Sequence, residues 1–242
     1  MKRLFPILAV LTAIFLAYAL HLALSKATPT DALQGDVYRI IYYHVPSAWS
    51  AFLLFLINFV ASVVYLIRRS PKADIVAVVS AEVGVVFCTI VLVTGPIWAR
   101  PVWGIWWAPG DIRLTSTLVL WLIYVSYLVL RRFSNSAQTQ LLAAALAVFG
   151  ALDVPLVYFS IWFFRTQHPQ PVIGGGGSMD PRMLHTLLIS WLAFLCFAFL
   201  ICWSRFRLEL LKREVEQAHA MESLVGAGES AKASLPLSRS SR

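Results

Sequence analysis

Apolar residues gather into six long runs separated by short polar stretches. The runs cover roughly Leu4–Leu24, Ala48–Ile67, Ile75–Thr94, Thr115–Leu130, Leu141–Phe164 and Leu184–Trp203. A bilayer span needs about 20 predominantly apolar residues. The fourth run is the shortest and leaves room for an earlier start. Backbone groups in hydrocarbon must bond within their own segment, so each run is expected to be a helix. The pattern predicts an all-α integral membrane protein with six transmembrane helices.

Composition agrees with the pattern. Hydrophobic residues make up 59% of the 242 positions and charged residues only 13%, against about 25% charged in soluble domains. Mean hydropathy is +0.74. The net charge of +8 raises nucleic acid as a partner, but no basic groove or recognition motif accompanies it. Its distribution fits membrane topology instead. With the N-terminus inside, the inner segments hold Lys2, Arg3, Arg68, Arg69, Lys72, Arg131, Arg132, Arg205, Arg207, Lys212 and Arg213. The outer loops hold only Lys26, Arg39, Arg100, Arg113, Arg165 and Arg182. That bias places both termini in the cytoplasm. The first run, after Lys2 and Arg3, also fits a signal peptide cut near Ala27, although its length favours a retained span. Cys88, Cys196 and Cys202 lie inside apolar runs and read as small apolar side chains.

The chain divides into a membrane domain, residues 1–204, and a tail, residues 205–242. In the tail, Leu208, Leu211, Val215 and Ala218 at helical spacing predict a short amphipathic helix over Arg205–Leu224. Gly226–Arg242, rich in Ser, Ala and Gly, is expected to be disordered. Inner connections are short polar turns. Three longer outer loops (25–47, 95–114 and 165–183) carry the unusual chemistry, and loops on a rigid scaffold are where function concentrates.

The middle outer loop holds four of the nine tryptophans: Trp98, Trp103, Trp106 and Trp107. A helix over Trp103–Ala108 would align Trp103 with Trp107 at i, i+4 and set Trp106 beside them. Pro109 and Gly110 would end it, and Asp111 would cap the next helix. The result would be an aromatic shelf at the membrane surface. Trp favours that interface generally, which accounts for Trp49, Trp162 and Trp203 but poorly for a cluster this dense. A flat apolar ligand with an anionic edge suits the shelf. Arg100 and Arg113 flank it and suit either ligand carboxylates or phospholipid headgroups.

Histidines bracket the shelf. His44 precedes Pro46, which suits a helix start, and His168 follows the fifth run. Neutral imidazole is a standard axial ligand for haem iron. His185, at the start of the sixth run, competes with His168 for that role. His21 is a weaker candidate, and His219 lies on the tail. Asp153 and Glu82 sit within runs, where a carboxylate hints at function. The reading weighted slightly higher is that Asp153 satisfies backbone groups freed by the Pro155 kink or pairs locally. Gly174–Gly177 lacks the Lys-Ser/Thr ending of a phosphate loop and reads as a flexible stretch.

Trp103-Gly-Ile-Trp-Trp, followed by Asp111 and Arg113-Leu-Thr-Ser, resembles the tryptophan-rich "WWD" segment of haem-handling proteins. His44-Val-Pro-Ser-Ala-Trp and Thr166-Gln-His168-Pro narrow the resemblance to the CcmC type of cytochrome c maturation system I, over roughly Tyr42 to Trp203. The resemblance implies a bacterial inner-membrane protein with six spans and a periplasmic site for haem b. Two external histidines, matched by His44 and His168, would serve as axial ligands of the haem iron, the only metal implied. Trp98, Trp103, Gly104, Trp106, Trp107 and Asp111 would contact haem, with Arg100 or Arg113 at a propionate. It also implies partners: a periplasmic haem chaperone (CcmE), ABC transporter subunits (CcmA and CcmB), the small protein CcmD, and membrane lipid. The activity implied is haem transfer rather than catalysis, at most assisting covalent haem attachment to the chaperone. One departure from the family pattern is visible. Trp107 is followed by Ala-Pro-Gly-Asp, so the last Trp is replaced and Asp111 is displaced by one position.

Two other readings compete. A membrane b-type electron-transfer cytochrome would stack haem between histidines inside the bundle, and no run carries a central His. A small-molecule permease would need a polar path, for which only Glu82 and Asp153 are available.

Overall fold

The structure is a computed structural model that describes residues 4–134, 136–164, 166–170 and 179–233. Gly174–Gly177 lies outside the described residues. Helices α1 (Leu4–Leu24), α2 (Ile41–Arg68), α3 (Pro71–Trp103), α4 (Ile112–Phe133), α5 (Ala137–Ala151), α6 (Asp153–Phe163) and α7 (Pro181–Ala233) follow in order. A five-residue 3₁₀ turn, Asp36–Ile40, leads into α2. With α5 and α6 counted as one span, six helical segments among the described residues are long and apolar enough to cross a membrane. The chain is all-helical and multi-pass.

Helix ends follow local chemistry. Ser70 accepts the Ala73 N–H at the start of α3, and Pro71 occupies the first helical position, where its missing N–H costs nothing. Ser136 accepts the Thr139 N–H and caps α5. The α2–α3 hairpin forms the centre of the bundle, and α7 packs along both helices. Phe55 of α2 lies flat on Tyr124 of α4, with ring centroids 3.9 Å apart. Asn58, fully buried, donates to the Ala77 carbonyl across the hairpin at 2.7 Å. Polar contacts of this kind tie helices together where lipid supplies no hydrophobic driving force.

Four element boundaries differ from the sequence expectations. Helix α2 begins at Ile41 rather than Ala48, because Ile41–Val45 is itself apolar enough to be helical. His44 and Pro46 therefore lie within its first turns. Helix α3 continues to Trp103 through Pro96 and Pro101, absorbing most of the expected middle loop. The fifth run breaks at Leu152 into α5 and α6, three residues before Pro155, whose ring and missing N–H disrupt the preceding turn. Helix α7 continues unbroken to Ala233, through the start of the segment expected to be disordered. The Leu-, Glu-, Lys- and Ala-rich sequence beyond Arg205 has high helix propensity, reinforced by Arg213–Glu209 and Lys212–Glu216 pairs at i, i+4.

At the end of the bundle where α3 begins, charge pairs, the Asp74–Arg131 pair buried, fasten three helices. Asp74 of α3 accepts from Arg131 of α4 and from Arg213 of α7, each at 2.7 Å. Glu82 accepts both arms of the Arg205 guanidinium, at 2.8 Å each, so its presence in an apolar run has a structural explanation. Removing one member of a buried pair strands the other's charge, at about 3–5 kcal/mol. Asp74→Ala, which leaves the buried Arg131 uncompensated, is expected to lower the thermal unfolding midpoint in detergent by several degrees. Asp74→Ala combined with Arg131→Met should recover part of that loss.

Candidate functional site

The opposite end of the bundle encloses a cavity of about 560 Å³, within the range of small-molecule sites. Its walls come from Gln34 and the 3₁₀ turn, α2, α3, the loop between α3 and α4, α4, α6, α7 and the segment after α6. They are mostly apolar and aromatic, and His44, His168, Trp98, Trp103, Trp107 and Arg113 all line them.

His44 and His168 face one another with ring centroids 6.3 Å apart and planes inclined at 32°. Two imidazoles bound trans to one metal, each with a metal–nitrogen bond of about 2 Å, put their ring centres roughly 6 Å apart. In His168, Nδ1 lies 2.9 Å from the Pro169 carbonyl. A carbonyl only accepts, so Nδ1 carries the proton and Nε2 keeps its lone pair free. Burial, assisted by the positive charge of Arg113, lowers the His168 pKa to about 4, leaving the ring neutral at pH 7. In His44, Nδ1 contacts Thr94 Oγ1 at 2.8 Å.

Asp111 holds the His168 segment in place. Its Oδ1 accepts the Arg113 and Leu114 N–H groups at 3.0 and 3.2 Å, capping α4. Its Oδ2 accepts the Thr166 hydroxyl at 2.5 Å and the Gln167 N–H at 2.8 Å. Thr166 Oγ1 in turn accepts the His168 N–H at 3.1 Å. Burial works against the charge on Asp111, but these hydrogen bonds outweigh it and hold the carboxyl below its ordinary range.

The tryptophans are arranged differently from the expected shelf. Gly104, at φ +78°, ends α3 with its N–H on the Arg100 carbonyl, and a left-handed residue at that position terminates a helix. Trp103–Ala108 is therefore not helical. Trp98 and Trp103 instead meet edge to face at 4.9 Å, and Gln34 accepts the Trp98 indole N–H at 2.8 Å. Trp106 is 59% exposed. Trp106, Gly104, Asp111 and Arg100 are not among the residues lining the cavity. Arg100 folds back to donate to the Gly104 carbonyl.

Arg113 differs from Arg100. Its Nη1 is buried without a hydrogen-bond partner, so a carboxylate in the cavity would satisfy it. His185 and His21 do not line the cavity, and His219 is exposed on α7. Asp153 lies outside the lining, and its Oδ2 is buried without a partner, so bonding to freed backbone groups does not account for that atom. Gln34, Tyr38, Thr94, Tyr158 and Trp191 belong to the site or its support and carry no distinguishing signal in the sequence.

The sequence model of the CcmC family, described as heme exporter protein C, matches residues 1–221. The chain belongs to the CcmC family. Heme exporter protein C of Bradyrhizobium diazoefficiens is 35% identical over 224 residues, covering 91% of this chain and 84% of the relative. Heme exporter protein C of Escherichia coli is 33% identical over 201 residues, covering 83% and 81%. A putative cytochrome c biosynthesis ccmC-like mitochondrial protein of Marchantia polymorpha is 35% identical over 179 residues, covering 74% and 75%.

Asp111→Ala removes a helix cap worth about 1 kcal/mol together with both anchors of the Thr166–His168 segment. Amide hydrogen exchange at Gln167 and His168 is expected to rise by an order of magnitude or more, while exchange in the middle of α4 stays unchanged.

Proposed function

We propose that this chain binds haem b at the outer face of the bacterial inner membrane and delivers it to a periplasmic haem chaperone during cytochrome c maturation. The spacing of His44 and His168 carries the reading. Two facing imidazoles, that of His168 with its Nε2 lone pair free, can supply two ligands to a metal. Among the described residues, no cluster of three or more His, Cys, Asp or Glu side chains could hold an ion alone. A metal that arrives with its own macrocycle needs only those two axial positions. The names of the relatives, heme exporter protein C, point the same way.

Each side chain has a role in binding. His44 and His168 ligate the iron from two different segments, and Asp111 sets the position of one of them. Trp98, Trp103 and Trp107 present apolar surface to the macrocycle, with Trp106 and Gly104 at the rim. Arg113 meets a propionate, which provides the acceptor its buried Nη1 lacks. The excess of basic residues at the opposite end supports an orientation with both termini in the cytoplasm and this site in the periplasm. Transfer to a partner needs a ligand that can leave, and a site at the ends of helices suits release better than one buried mid-bundle. A CcmE-like chaperone, CcmA- and CcmB-like transporter subunits and a CcmD-like small protein complete this reading. The chain acts by binding and transfer, without transforming haem.

The test is the absorption spectrum of the purified protein. Wild type is expected to carry haem with the bands of low-spin, bis-imidazole iron. His44→Ala and His168→Ala should each abolish those bands, and the double variant should lose haem. A wild type without haem, or a double variant with an unaltered spectrum, would overturn the proposal. Arg113→Leu should keep the bis-imidazole bands but weaken haem retention roughly 10- to 100-fold, since a hydrogen bond to a charged group contributes about 1.5–3 kcal/mol.

A further inference from the structure

Thr94 stands on α3 against the ring of His44, with Oγ1 2.8 Å from Nδ1. A hydroxyl and an imidazole nitrogen can each donate, so this contact alone leaves the tautomer open. A second contact decides it. Thr94 Oγ1 lies 2.6 Å from the Ile90 carbonyl oxygen, which can only accept. At that distance, with no proton between them, the two oxygens would repel. The single hydroxyl proton therefore goes to Ile90, and Thr94 turns a lone pair toward His44. Nδ1 carries the ring proton and Nε2 is bare.

The neighbouring residue completes the seat. A Cβ at Gly95 would stand 3.5 Å from His44 Cε1, an ordinary contact distance, so this position of α3 flanks the imidazole edge. Thr94 thus does for His44 what the Pro169 carbonyl does for His168: each fixes the proton on Nδ1. From this we infer that Thr94 is the positioning residue that holds His44 in its Nδ1–H tautomer and leaves Nε2 as the iron-binding atom. The inference rests on the haem-binding reading above and adds a determinant to it. Outer partners that orient a ligating histidine typically change affinity 10- to 100-fold when removed.

The experiment has a haem-free arm and a haem-loaded arm. In haem-free protein with ¹⁵N-labelled histidine, the His44 nitrogen shifts report the tautomer directly. Wild type and Thr94→Ser are expected to show Nδ1–H. Thr94→Val, which keeps the shape but lacks the acceptor, should move the population toward Nε2–H. In haem-loaded protein, Thr94→Val should retain haem at least tenfold more weakly, and Thr94→Ser should restore it. An Nε2–H tautomer in wild type, or identical tautomers and haem retention in wild type and Thr94→Val, would overturn the inference. A wild type that shows Nδ1–H but takes up no haem would uphold the tautomer control and defeat the haem reading instead.

Discussion

One carboxylate joins the two halves of the site. Asp111 spends Oδ1 on the first N–H groups of α4 and Oδ2 on Thr166 and Gln167. A helix start within a membrane bundle and a segment between two spans thereby become one rigid piece. His168 rides on that segment, and its distance from His44 follows from this attachment. Hydrogen bonds to an ionised acceptor are among the stronger neutral-pH contacts available to a side chain. Their position beside a cavity makes Asp111 a frame for the site.

The same logic of helix ends runs through the molecule. Hydrocarbon demands that backbone groups bond to one another, so chemistry that departs from the helix collects where helices begin and stop. At one end of the bundle this freedom goes into charge pairs: Asp74 with Arg131 and Arg213, and Glu82 with Arg205. These pairs hold α3, α4 and α7 in fixed relation. At the other end it goes into the cavity, where polar groups are few and aimed. Both imidazoles have their Nδ1 engaged, and Arg113 keeps one buried donor uncommitted. A bundle locked at one end can hold a preformed site at the other without closing over it.

The run of apolar residues made the helices and their number readable, because each span must satisfy itself locally. The residue types of the site were readable for the same reason. Histidine, arginine and a dense cluster of tryptophan stand out against an apolar background. Boundaries were less legible. Pro96 and Pro101 signal a break, yet α3 runs through both. Gly104 was visible in the sequence, but its left-handed backbone, which ends α3 and prevents the Trp103–Trp107 stack, was not. Thr94 could not be singled out at all: its importance lies in facing His44, 50 positions away.

The sequence by itself determined a six-span helical membrane protein, the excess of positive charge at one end, and the inventory of imidazole, indole and guanidinium groups. These follow from rules acting within a segment, on hydropathy, charge and short motifs. The tertiary structure alone decided which histidine comes to face His44, which of Arg100 and Arg113 brings a free buried donor to the cavity wall, which tryptophans reach the cavity, and what Asp111 holds. Those outcomes depend on distances between residues far apart in the chain, set by how the helices pack and where each one ends.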